Sequence, residues 1–244
     1  MTVTEKELVE YRDLLYRINQ MAQDDLKGLW AALKTVDREV LISGVLDGVP
    51  QIVELYRAMA ADVSTAFYDD TQGISFTADE ALAAAQVNRE QVEASLRWAL
   101  FATATDDPLG LVSGIVQKHV VDGARNYGLR SFANAGSGWY RAANPEACEF
   151  CRLLATRALT DLGSAYSSAA AAVAVGKGKS AARGAQSDGA AFHTNCMCVP
   201  VKASEFRPAK FYDDWTREYY QAVREAGGAG NVRAVTAAMR RLNK

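Results

Sequence analysis

The chain of 244 residues is 49% hydrophobic and 23% charged, so it has enough apolar material for a globular core without crosslinks. No apolar run approaches the roughly 20 residues that span a bilayer, which excludes a membrane-spanning protein. The formal net charge of −2 divides unevenly, with −6 over residues 1–70 and +4 over the remainder.

Residues 1–134 predict a helical region. Thr4 with Glu7, and Thr77 with Glu80, each match a capping box at the start of a helix. Apolar residues recur at helical spacing between these two starts, at Ile52, Leu55, Tyr56, Met59, Val63 and Phe67. We predict loops at 43–50 and 69–76, where glycine, proline and polar residues interrupt the spacing.

A change of character follows the breaker sequence NAGSG at 134–138, and we predict a small α+β module over 135–205. Short strands are expected at 139–143 and 196–203, the latter with Pro200 at a sheet edge, and a short strand followed by a turn is expected over 156–164. Residues 163–192 include 11 alanines, 5 glycines and 5 serines, which predicts a flexible low-complexity loop.

Two helices are predicted over residues 206–244, the second capped by Asn231. The predicted fold is therefore mainly α: a helical region 1–134, the small α+β module and the C-terminal helices. The last 19 residues carry no acidic side chain and four basic ones, at Arg233, Arg240, Arg241 and Lys244. This pattern fits either a solvated helix end or non-specific contact with DNA.

All four cysteines and one of the two histidines lie in two short segments. ACEFC supplies Cys148 and Cys151, and FHTNCMC supplies His193, Cys196 and Cys198. The opening residues lack the apolar segment of a secretory signal, so we expect folding in a reducing cytoplasm. Clustered cysteines there indicate metal ligands before disulfides, and Zn²⁺ prefers four tetrahedral thiolate or imidazole ligands.

Five candidate ligands compete for four positions of a structural zinc site. Cys196 and Cys198 point to opposite faces if the chain is extended there, which favours Cys148, Cys151, His193 and Cys196. Cys198 would then lie beside the metal or replace one of these ligands. Two disulfides, or four unrelated buried thiols, are the alternatives.

Catalytic chemistry has little support in the sequence. Zinc nucleobase deaminases need a glutamate two residues after a histidine, and Val121 stands at that position after His119. A serine hydrolase needs a histidine base, and His119 is the histidine left once His193 binds metal. The serines nearest to it in sequence are Ser113 and Ser131, and neither lies in a nucleophile-elbow context.

The segments GWYRAANPEACEFCRLLATRA and FHTNCMCVPV resemble the Mu F-like minor head proteins of tailed phages, and most closely those of phages that infect actinobacteria. The shared pattern comprises a tryptophan–tyrosine strand, C-x2-C, a variable loop and H-x2-C-x-C followed by proline and valine. It covers about residues 120–205, at Trp139, Tyr140, Cys148, Cys151, His193, Cys196, Cys198, Pro200 and Val201.

This resemblance implies a virion protein that is present in a few copies inside the head, near the portal, after assembly in the host cytoplasm. It also implies contact with the portal or the major capsid protein, and a role in head morphogenesis, DNA packaging or ejection. Some members of the family are labelled capsid maturation proteases. A non-enzymatic minor capsid protein and a serine protease with His119 as its base are therefore the two functional hypotheses.

Overall fold

The computed structural model of the chain describes residues 2–75, 77–101, 108–166 and 196–243. Within these ranges it contains eight helices and one two-stranded sheet, which confirms the predicted mainly α fold. The first five elements are helices: α1 (Glu5–Leu33), α2 (Arg38–Gln72), α3 (Ala78–Ala85), α4 (Arg89–Phe101) and α5 (Leu109–Asn134). The remaining elements are β1 (Trp139–Ala142), α6 (Glu149–Arg157), β2 (Val199–Lys202), α7 (Phe211–Glu225) and α8 (Val232–Leu242).

The described residues form two compact units. The helical unit comprises residues 9–75, 77–101 and 108–127, and the C-terminal unit comprises residues 2–8, 128–166 and 196–243. The boundary between the two units falls within α5. Residues 2–8, at the start of the chain, belong to the C-terminal unit. The finer division into domains at residues 134 and 205 stays a prediction.

The predicted loop at 43–50 is wrong, because α2 runs through it without interruption. A Cβ at Gly44 would lie 2.7 Å from Leu33 Cδ1, and one at Gly48 would lie 2.8 Å from Leu29 Cδ2. Because these two positions carry no side chain, α1 packs closely on α2 there. Val45 and Val49 are fully buried beside them, so tertiary packing outweighs the poor helix propensity of this segment.

Both predicted capping boxes are present. Thr4 and Thr77 each accept the backbone N–H of the glutamate three residues later, and that glutamate accepts the backbone N–H of its threonine. The predicted loop at 69–76 begins later than expected, because α2 continues to Gln72 and ends where Gly73 takes a φ of 61°.

Arg57 of α2 is buried and connects three segments of the helical unit. Its guanidinium donates to the carbonyl oxygens of Ala84 and Ala85 at the end of α3, and to that of His119 in α5. A cation is favourable at this end of α3, because the last carbonyls of a helix lack intrahelical partners and carry partial negative charge. Arg57 therefore supplies donors to two carbonyl groups that the end of α3 leaves without intrahelical partners.

Gly123 of α5 lies directly against this arginine, since a Cβ there would stand 2.5 Å from the Arg57 carbonyl oxygen. We expect Gly123→Ala to destabilise the protein by about 1–3 kcal/mol, the usual cost of overpacking. Gly110→Ala in the same helix is the matched control, because its Cβ would meet nothing within 4 Å. Denaturant unfolding of both variants checks this, and equal stability of the two would contradict the close approach of α2 and α5.

In the C-terminal unit, β1 and β2 pair antiparallel, with Trp139 opposite Lys202 and Arg141 opposite Pro200. Two predicted strands are thus confirmed, at 139–142 and 199–202. The strand expected within 156–164 is wrong, because these residues complete α6, but the turn expected after it is confirmed, since the chain then forms successive turns. Thr160 contributes to these turns by donating its hydroxyl to the Arg157 carbonyl.

Helices α6, α7 and α8 pack on one another and form the apolar core of this unit. The residues that share this core are Leu153, Leu154, Tyr219, Ala222, Val235, Ala238 and Met239. The predicted terminal helix is confirmed together with its cap, since the Asn231 side chain accepts the N–H of Ala234.

Most of the predicted low-complexity loop 163–192 lies outside the described residues, as does His193. Among the residues that the structure describes, none of the helices combines the length and apolar character that a membrane span requires.

Candidate metal centre

The start of α6 positions the first two cysteines. Cys148 is the N-cap residue of α6, and Cys151 lies in its first turn, so the two lie on neighbouring positions of one helix face. The N-terminus of a helix carries partial positive charge, which favours the thiolate over the thiol. The predicted C-x2-C turn is therefore a helix start, and this position suits metal-binding cysteines.

Cys196 and Cys198 lie immediately before β2, which begins at Val199. The backbone N–H of Cys198 donates to the Cys196 sulfur at 3.4 Å, so the chain folds back around that sulfur. Because neither cysteine belongs to the strand, the alternation that would send their side chains to opposite faces does not apply. The structure consequently places both thiols on the same side.

Three sulfur atoms come together in the C-terminal unit. The Sγ atoms of Cys151, Cys196 and Cys198 all lie within 4.8 Å of one another, and all three residues are buried. The shortest separation is 3.3 Å, between Cys151 and Cys196, which are 45 residues apart in the chain. We refer to these three residues as the cysteine cluster.

The distances within the cluster fit a metal better than a crosslink. Four ligands at the usual Zn–S length of about 2.3 Å in a tetrahedron would hold their sulfurs about 3.8 Å apart. A disulfide requires sulfurs at about 2.05 Å, and all four cysteines of the chain are free. The donor set of closely spaced, buried sulfurs therefore suits a soft-ligand metal such as zinc.

Two thiols of the cluster, those of Cys151 and Cys198, have pKa values above the usual range for cysteine. Hydrogen bonds with Cys148, Cys196 and Cys198, together with burial, raise the pKa of Cys151 above its usual value. The hydrogen bond from Cys151 lowers the pKa of Cys198, but the bond with Cys196 and burial outweigh it and bring this pKa to about 12. Binding of a metal must therefore release protons from the cluster, and its affinity should fall as the pH falls.

Cys148, the remaining cysteine of the predicted ligand set, is exposed at the start of α6, and its sulfur is not among the three that lie within 4.8 Å of one another. His193, favoured from the sequence, lies outside the described residues. The structure thus brings together the sulfurs of Cys151, Cys196 and Cys198, and Cys148 stands three residues before Cys151 as a candidate for the fourth ligand.

Sequence reasoning missed a buried arginine in the same unit. Arg141 of β1 is fully buried and stands opposite Pro200 of β2. The available signal was an arginine in the otherwise apolar and aromatic strand WYRA.

His119, the candidate base of a protease, lies on α5 in the helical unit and is 6% exposed. Burial, followed by the positive charge of Lys118, lowers its pKa to about 4. Ser113 lies six residues earlier on the same helix, about 9 Å along its axis, and donates its hydroxyl to Gln23. This geometry does not place the Ser113 hydroxyl within reach of His119 for proton transfer.

We expect the purified protein to contain about one zinc per chain. Cys151→Ser should lose more than the roughly 10- to 100-fold in zinc affinity that changes around the ligands cost, because this thiol is one of the three clustered sulfurs. Cys148→Ser is the matched variant, and its exposed sulfur should matter less. Elemental analysis and chelator competition measure both effects. A metal-free wild type with oxidised cysteines under reducing conditions would contradict the site.

Comparison with known families gives one match. A family model described as VG15 protein matches residues 2–223, which is most of the chain. The matched range includes all four cysteines, both strands and the helices from α1 to α6. No curated protein and no solved structure matches the chain.

Proposed function

Since this chain belongs to the VG15 family, a family of phage proteins, we propose that it is a structural minor capsid protein of the Mu F-like type. It resides inside the head of a tailed phage near the portal, in several copies per virion. There it assists head assembly and the packaging or ejection of DNA.

The cysteine cluster is the observation that carries this proposal. The sequence pattern shared with Mu F-like minor head proteins comprises two cysteine segments and the strands beside them. The two segments lie close together because β1 pairs directly with β2 and Cys198 immediately precedes β2. The pattern thus corresponds to one compact structure, and a zinc ion there would hold the two segments together without contributing catalysis.

The helical unit offers apolar surface for contact with the portal or the major capsid protein. Trp98 and Phe101 of α4 are 54% and 55% exposed, and their spacing of three residues places them on one side of the helix. Large aromatic side chains are common at the centres of protein interfaces. We assign this aromatic pair to the docking surface.

DNA contact is a secondary part of the proposal. Two of the four basic residues near the C-terminus already face carboxylates, Arg240 at 3.5 Å from Glu149 and Arg241 at 3.3 Å from Glu225. Surface pairs of this kind contribute little, but they reduce the charge available to phosphates. Any contact with packaged DNA should therefore be weak, non-specific and salt-dependent.

A non-enzymatic role is favoured over the protease alternative. His119 is buried, and the Ser113 hydroxyl donates its hydrogen bond to Gln23 and not to this histidine. A soft-ligand zinc site with four protein ligands leaves no position for a reactive water.

Head assembly with variant protein tests the docking assignment. We expect Trp98→Glu with Phe101→Glu to reduce incorporation into heads roughly tenfold or more, because an unpaired carboxylate would be buried at the interface. The fold should survive, since both side chains are exposed. Arg233→Ala on α8 is the matched control, for which incorporation should be unchanged. Quantitative mass spectrometry of purified heads gives the copy number.

Normal incorporation of the double variant would refute docking through α4. Loss of incorporation in Arg233→Ala alone would assign the docking role to the basic C-terminal residues instead. Absence of the wild-type chain from purified heads would refute the proposed function as a whole.

A further inference from the structure

Arg152 of α6 holds the backbone on both sides of Cys148. Its side-chain Nε donates to the carbonyl oxygen of Ala147 at 2.7 Å, and its backbone N–H donates to the carbonyl oxygen of Cys148 at 2.9 Å. The N–H of Ala147 in turn donates to the Asn144 carbonyl at 3.0 Å. Because each peptide group is planar, a hydrogen bond that fixes its carbonyl also fixes the plane of the whole group. The two bonds from Arg152 therefore restrain the backbone that carries the Cys148 thiol.

The guanidinium of Arg152 is itself held by α7 and α8. Its Cζ lies 5.2 Å from the centre of the Trp215 ring, and its Nη1 lies 3.4 Å from Oδ1 of Asn243 and 3.9 Å from Oε2 of Glu218. The Asn243 amide donates to the same Glu218 oxygen at 3.3 Å, which joins the two acceptors. A guanidinium suits this place because it stacks on an aromatic ring while its N–H groups donate in several directions. The two helices thus determine where Nε points.

We propose that Arg152 is a positioning residue that holds Cys148 as the fourth ligand of the metal centre. The three clustered sulfurs are buried, whereas Cys148 is exposed, so ordering its thiol on a metal costs more rotamer freedom. A backbone that is already restrained reduces the total cost of ordering, which is the general benefit of preorganisation. The inference rests on the zinc site of the proposed function and adds the residue that presents its fourth sulfur.

A double-mutant cycle on zinc affinity tests this, by chelator competition with the full-length chain under reducing conditions. We expect Arg152→Met, which keeps the side-chain length and removes the donors, to bind Zn²⁺ about 10- to 100-fold more weakly. Cys148→Ser should weaken binding at least as much. Adding Arg152→Met to Cys148→Ser should cause no further loss, because the arginine then has no ligand to position. A merely structural arginine would lower the affinity by the same factor in both backgrounds.

Two further variants separate this role from charge and from helix packing. Arg152→Lys keeps the charge, but one ammonium group cannot replace a stacked guanidinium that donates on two sides, so its affinity should fall as it does in Arg152→Met. Arg240→Met is the matched control, because Arg240 also joins α8 to the first turn of α6, through the side chain of Glu149 at 3.5 Å. Its zinc affinity should be unchanged.

Wild-type affinity in Arg152→Met or in Arg152→Lys would overturn the positioning role. An equally large loss in the Cys148→Ser background would also overturn it, as would wild-type affinity in Cys148→Ser itself, which would assign the fourth position to another ligand. These results would leave the zinc site in place. A wild-type chain that binds no zinc would overturn the site and the positioning role together. If Arg152→Met does not fold, Arg152→Lys replaces it in the same cycle.

Discussion

Three sulfur atoms from segments 45 residues apart must meet within 4.8 Å in the interior of the C-terminal unit. This requirement determines much of the structure around it. The N-terminus of α6 presents Cys151, the chain reversal before β2 presents Cys196 and Cys198, and β2 pairs with β1 directly after that reversal. The three buried thiols that meet here form a donor set that suits a soft-ligand metal such as zinc.

The helical unit depends on a different kind of constraint, the close approach of helices at positions without side chains. Because Gly44 and Gly48 carry no side chain, leucine side chains of α1 pack directly on the backbone of α2. Gly123 of α5 likewise leaves room for the backbone of α2 at Arg57. Arg57 then supplies the hydrogen bonds that the carbonyl groups at the end of α3 lack. Close backbone packing and the buried Arg57 thus connect these helices, and the exposed side of α4 remains available for a partner.

Sequence patterns were sufficient where a local signal determines the structure. The capping boxes at Thr4 and Thr77, the cap at Asn231 and the strands at 139–142 and 199–202 follow from residues close in the chain. Sequence patterns failed where contacts between residues far apart in the chain determine the structure. Gly44 and Gly48 resemble helix breakers until α1 packs on them, and the strand sequence WYRA does not reveal that Arg141 is fully buried.

The chemical identity of the cysteine cluster is the central claim, and zinc K-edge X-ray absorption on the purified full-length protein tests it most directly. The account predicts three or four sulfur scatterers at about 2.3 Å from the metal, with at most one nitrogen. A first shell of only oxygen and nitrogen at about 2.0–2.2 Å would show that the metal binds elsewhere and would contradict the account.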